Sequence, residues 1–164
     1  MPKFELAQVN IATMKFPLDS PAMAEFVASL DPINALAEGS SGFVWRLKDD
    51  GGNATGYRPL GANVLFNMSV WLDVASLRDY AFWSAHGEVM RRRREWFEPM
   101  TAANAALWWI DRGHRPTIAE AIERLEHLRA SGPSPGAFTF RRAYPAPDAG
   151  AVRTIGFDDA CPTT

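Results

Sequence analysis

The chain predicts an α+β fold, a ferredoxin-like βαββαβ protomer with an added helix and a short strand. Two patterns carry this expectation. Short apolar runs bounded by turn residues read as strands, and capped stretches with helical spacing lie between them in the order β-α-β-β-α-β. The bulk composition agrees. The chain has 164 residues, 47% of them hydrophobic and 22% charged, which suits one globular domain and disfavours wholesale disorder. The domain is expected over residues 1–145, followed by an extended tail over 146–164 containing Pro147 and Pro162.

Phe4 to Ile11 is apolar, lacks a breaker and reads as the first strand. A turn over Lys15–Ser20 follows. Ser20-Pro21 then offers a helix cap and a proline at the first helical position. Met23, Phe26, Val27 and Leu30 recur at helical spacing, Asp31-Pro32 is expected to kink or interrupt the helix, and Gly39 to stop it. Gly42–Lys48 reads as the second strand. Asp49–Ala62, with Asp50-Gly51-Gly52-Asn53, Gly56, Pro59 and Gly61, reads as a long loop, either a lid or a hairpin connection.

Val64–Leu72 alternates and reads as the third strand. One face carries Val64, Phe66, Met68, Val70 and Leu72; the other carries Leu65, Asn67, Ser69 and Trp71. The second face mixes polar and aromatic groups, so it suits a cavity wall, solvent or a partner. Ser76-Leu-Arg-Asp79 has a capping form, and one helix is expected from Leu77 to about Phe97, loosened at Gly87. Ala105–Asp111 reads as the fourth strand. Thr117-Ile-Ala-Glu120 is a capping box before Ile118, Ala121, Ile122, Leu125 and Leu128, with Gly132-Pro133 as the stop. Ala137–Arg141 reads as a short added strand.

Several function classes lose support here. Lys+Arg 17 against Asp+Glu 19 gives a net charge of −2, which disfavours a general nucleic-acid-binding surface. The apolar stretch Ala105–Ile110 is far short of the roughly 20 residues of a membrane span. The opening MPKFELAQVN lacks the basic segment and apolar core of a signal peptide, so a cytoplasmic protein is expected. The single Cys161 precludes an internal disulfide. No GxGxxG, GxxxxGK[ST], GxSxG or HExxH pattern occurs, so no metal site is expected from the pattern.

The candidate residues cluster on the strands and on the helix after the third strand. His86 is one of three histidines, the residue type suited to proton transfer near neutral pH, and it reads either as a base or as a hydrogen-bonded helix residue. Asn10 and Asn67 lie within strands, where asparagine is depleted, so each needs a partner in the protein, in water or in a ligand. Six tryptophans are an unusual load; Trp71 and Trp109 are the cavity candidates, and the others suit core or interface packing. Arg91 to Arg94 point in four directions, so they read as a salt-bridged solvent face from which Arg91 or Arg94 could reach an anion.

FNMSVWLDVASLRDY, SAHGEVMRRRREWF, LWWIDRGHRPTIAEAIERLEHL and GPSPGAFTFRRAYP resemble a family of small proteins placed with the dimeric α+β barrel proteins, near the antibiotic biosynthesis monooxygenases. The resemblance covers most of residues 4–145 and implies a homodimer with a pocket between sheet and helices. A narrower likeness, ending in Ser84-Ala85-His86, is to haem-degrading monooxygenases. There His86 matches the haem ligand and Asn10 the first-strand asparagine, while Tyr80 stands near the expected tryptophan, with Trp83 and Trp71 as substitutes. The reading that follows is an enzyme for a hydrophobic aromatic or polycyclic substrate, a cofactor-independent monooxygenase or a related cyclase or isomerase. His86 and Asn10 would be catalytic; Asn67, Trp71, Tyr80, Trp83, Arg91 and Trp109 would bind substrate. The alternatives are a haem protein with His86 as axial ligand and a non-catalytic small-molecule-binding module.

Overall fold

The structure, a computed structural model, describes residues 1–84 and 86–149, the side chain of His86 excepted. The tail expected from 146, with Cys161, lies from residue 150 onward outside the described residues. The strands are β1 (Phe4–Thr13), β2 (Phe43–Arg46), β3 (Val64–Trp71) and β4 (Ala105–Asp111). They form one antiparallel sheet in the order β2-β3-β1-β4, which is the ferredoxin-like arrangement. The helices are α1 (Ala24–Glu38), α2 (Val74–Trp83), α3 (His86–Arg91), α4 (Arg93–Trp96) and α5 (Ile118–Ser131), with a 3-10 turn over Pro21–Met23. No helix among the described residues is long and apolar enough to cross a membrane.

Period-two alternation divides the sheet into two unlike faces. Ala7, Val9, Ile11, Phe66, Met68, Val70, Ala106 and Trp108 form one continuous apolar core with Ala121, Leu125 and Leu128 of α5. Thr117 caps α5 by accepting from Glu120 N at 3.1 Å, and Gly132 ends it at positive φ. The added helix α5 thus covers this face within the chain.

The opposite face carries α1 to α4 and two separate apolar clusters. Leu6, Ala37, Trp71, Leu77, Leu107 and Phe138 form one; Met14, Met23, Phe26, Trp96 and Phe97 form the other. α1 joins them, contributing Ala37 to the first and Phe26 to the second.

Four local expectations are corrected. Pro32 does not interrupt α1. It lacks only the donor for the carbonyl of Ala28, and both residues are exposed, so water takes that carbonyl. The helix expected over 77–97 is three helices, and its cap is Asp73, whose carboxylate accepts from Ser76 N at 2.8 Å. It stops at Ser84, whose hydroxyl bonds the Tyr80 carbonyl that the next helical N–H would have used. Gly87, expected to loosen a turn, instead lets α3 start close under α2, since a Cβ there would meet Phe82 O at 3.0 Å. The short strand at 137–141 is reduced to two isolated bridges, Ala137 with Ser134 and Phe138 with Leu107, because Thr139 onward turns away.

The 49–62 loop binds itself together. The Asp49 carboxylate accepts from Gly51 N and Gly56 N, Asn53 accepts from Thr55, and Arg58 donates to Thr55 O. It is a self-bonded hairpin connection rather than a free flap.

Candidate functional site

The polar residues of the helix-covered face form a row between its two apolar clusters. Along β1 the side chains on this face are Leu6, Gln8, Asn10, Ala12 and Met14; along β3 they are Trp71, Ser69, Asn67 and Leu65. Register sets Gln8 beside Ser69 and Asn10 beside Asn67. Leu6, Trp71, Met14 and Leu65 pack at the two ends, leaving amides and a hydroxyl in the middle.

The row is hydrogen-bonded in sequence. The indole Nε1 of Trp71 donates to Ser69 Oγ at 2.8 Å, and Gln8 Nε2 donates to the same oxygen at 2.9 Å. Asn10 Nδ2 donates to Gln8 Oε1 at 3.2 Å. Gln8 and Ser69 are buried, Asn10 is half-buried, and Asn67 is exposed although it sits in an inner strand. The helix layer is therefore open above Asn67. Its amide makes no hydrogen bond among the described residues, so it is free to meet a ligand.

The roof over this opening follows from the chain path. Tyr80 of α2 stacks on Trp71, with ring centroids 5.0 Å apart, and Val89 of α3 packs in the cluster that holds Leu65. Asn67 lies two residues from Leu65 and four from Trp71 along β3. The end of α2 at Ser84 and the start of α3 at His86 fall midway between Tyr80 and Val89. The side chain of His86 lies outside the described residues.

The other candidates do not converge on this opening. Trp71 has no exposed surface; besides its indole bond, it meets the edge of Phe43 at 5.4 Å. It anchors the row from within the core instead of lining a cavity. Burial pushes the Tyr80 phenol above its usual range, against a smaller opposing effect of the Arg46 charge, so Tyr80 stays protonated at physiological pH. Its hydroxyl reaches Ile33 O at 3.4 Å. Trp83 stands 80% exposed at the end of α2. Arg91 is exposed and lies 3.9 Å from Glu88. Trp109 is half-buried, and its indole donates to Tyr144 O at 2.8 Å. The arginine run is the expected salt-bridged face: Arg92 pairs with Glu25 and Glu95 and lies 4.8 Å from the Trp96 ring.

Gln8 is the residue that sequence reasoning missed. Its signal was the two-residue spacing Leu6-Gln8-Asn10, which places a polar pair on one face of an otherwise apolar strand.

Residues 5–154 match the family model described as a domain of unknown function, DUF3291. The chain belongs to that family. No curated protein matches it. Among solved structures, it is similar to SnoaB, a cofactor-independent oxygenase from Streptomyces nogalater, at 18% identity and a TM-score of 0.45, covering 70% of this chain and 96% of that one. NE2512, a protein of unknown function from Nitrosomonas europaea, has 17% identity and a TM-score of 0.43, covering 70% and 95%. PA3566 from Pseudomonas aeruginosa has 15% identity and a TM-score of 0.39, covering 67% and 95%.

The tryptophan place of the haem reading is not filled at the opening. Of the aromatic residues in that reading, Trp71 is enclosed, Tyr80 lies against it, and Trp83 faces solvent.

Proposed function

We propose that this family member is a small-molecule enzyme whose substrate enters the opening above Asn10 and Asn67. The observation that supports it is the exposed, unbonded Asn67 amide on the helix-covered face, paired with Asn10 and flanked by two apolar clusters. Apolar walls with a few placed polar groups suit an aromatic or polycyclic ligand.

The reaction proposed is cofactor-independent oxygenation of an electron-rich ring system. A base removes a proton from an activated ring CH2, and the resulting carbanion supplies the electrons that reduce dioxygen. One oxygen atom stays as a carbonyl and the other leaves as water, so CH2 and O2 give C=O and H2O. His86, at the start of α3, is the proposed base. Asn67 is proposed to orient the substrate and to donate to the oxyanion as charge develops. The same parts would serve a cyclase or isomerase, with the proton transfer retained and the oxygen step absent.

The test is oxygen uptake and product analysis over a panel of anthrones and polycyclic phenols, with wild type, His86→Ala and Asn67→Ala. Turnover lost in both variants supports the reading. Saturable binding without uptake or product would favour a binding module, and a Soret shift on adding haem, lost in His86→Ala, would favour the haem protein.

The homodimer implied by the sequence resemblance is also a proposal. Because α5 occupies one sheet face, a second copy would have to use another surface.

A further inference from the structure

We infer that the substrate presents a hydroxyl group to Asn10, and that Gln8 and Ser69 are positioning residues that set this preference. The inference rests on the reading of the Asn10–Asn67 opening as a ligand site, and it adds the chemical class of the ligand.

The argument begins at Trp71, whose indole N–H can only donate. It is fully buried and held on two sides by Tyr80 and Phe43, so its direction is fixed. Ser69 Oγ accepts that hydrogen bond and a second from Gln8 Nε2. With its nitrogen turned to Ser69, Gln8 offers its Oε1 to the next residue, and Asn10 Nδ2 donates to it. An amide has its oxygen opposite its nitrogen. Committing Nδ2 to Gln8 therefore leaves Asn10 Oδ1, which makes no hydrogen bond among the described residues, as the acceptor for whatever fills the opening. Gln8 and Ser69 are shielded from water, so leaving either unpaired would cost a desolvated polar group.

A fixed acceptor selects a donor. A phenol or enol O–H satisfies Asn10 Oδ1, while an ether oxygen at the same place leaves two acceptors facing each other. Asn67 has no such anchor, and its exposed amide can rotate to suit either partner. Discrimination therefore belongs to Asn10 and originates in Gln8, Ser69 and Trp71 behind it.

The probes are 1-naphthol and its methyl ether, titrated by calorimetry against wild type, Gln8→Met and Ser69→Ala. Wild type is expected to favour the phenol about tenfold, the effect of one well-placed hydrogen bond. In Gln8→Met the ratio should fall towards one, because the freed Asn10 amide can turn its nitrogen outward. Ser69→Ala should shift it the same way and supplies the test if Gln8→Met does not fold. The proton resonances of the Asn10 amide provide a second readout, with the separation between its two Nδ2 protons reduced in both variants. A ratio near one in wild type, or one unchanged in the folded variants, overturns the inference and leaves the site reading standing. Failure of both compounds to bind wild type overturns both.

Discussion

The two faces of the sheet are built from the same strands by opposite rules. Under α5 every inward side chain from Ala7 to Trp108 is apolar, the core is continuous, and a single capped helix closes it. Under α1 to α4 the core is split in two, a hydrogen-bonded polar row lies in the gap, and the cover after β3 is divided into separate helices. One face concentrates stability; the other gives up packing to expose amides. A ferredoxin-like sheet can thus carry its foundation on one side and its site on the other.

Substitutions should separate these two roles. The largest effect belongs to the closed face. Trp108 is fully buried and its indole donates to Glu120 Oε1 at 3.1 Å, so Trp108→Ala should cost about 3–5 kcal/mol in urea unfolding. If the loss is under about 1 kcal/mol, α5 is not the foundation described.

Trp71→Phe, on the open face, keeps most of the packing but removes the donor to Ser69. It should cost about 1 kcal/mol and also narrow the phenol-over-ether preference. A stability loss with selectivity intact would break the link between core and site.

The next effect is one of pH. Partial burial works to raise the Glu120 carboxyl, but hydrogen bonds from His114 and Trp108 outweigh it and hold the group below its ordinary value of 4.5. Its contribution is therefore complete above that value and is lost as pH falls through the lowered one. Acid unfolding curves should show a decline below about pH 4.5 that Glu120→Gln flattens. Glu38 and Glu95, on the helix side, are lowered by bonds to Lys48 and Arg46 and to Arg92. They are exposed to solvent, so salt should screen them and leave the Glu120 signal.

The smallest stability change belongs to the proposed site itself. Asn67→Ala should alter unfolding by no more than about 0.5 kcal/mol while abolishing ligand binding. Trp83→Ala, at an 80% exposed position, should be equally mild and leave binding intact. Loss of binding in Trp83→Ala would move the site outward along α2.

Much of this division can be read from the residues. Strands β1, β3 and β4 are long apolar alternations, and α5 has a capping box and a glycine stop, so local signals and tertiary packing agree. The break in the middle helix was not legible. Helical spacing continues past Ser84, and only a side-chain bond back to Tyr80 ends it. Covering of both sheet faces was also hidden, since nothing in the pattern of α5 states which face it will choose. At the site, Asn10 and Asn67 stood out as strand asparagines, but their pairing depends on register, which links residues far apart in sequence. The polar neighbours of Trp71 suggest a cavity wall, whereas Ser69 accepts from its indole and Phe43 and Tyr80 pack against its ring.

The position of β1 has a further consequence for how the chain reaches this structure. β1 precedes the other three strands of the sheet in the chain yet lies inside it, where Phe4 waits for Asp111 and Leu6 for both Trp71 and Trp109. The cluster around Trp71 cannot close until β4 has emerged, because Leu107 and Trp109 complete it. Such distant pairings favour folding on the millisecond-to-second scale and a late, concerted closure during synthesis. The nascent strand must spend that interval without its neighbours. Gln8 and Asn10 interrupt its apolar run at that stage, so the residues proposed to read the substrate would also keep an unfinished chain from pairing with another.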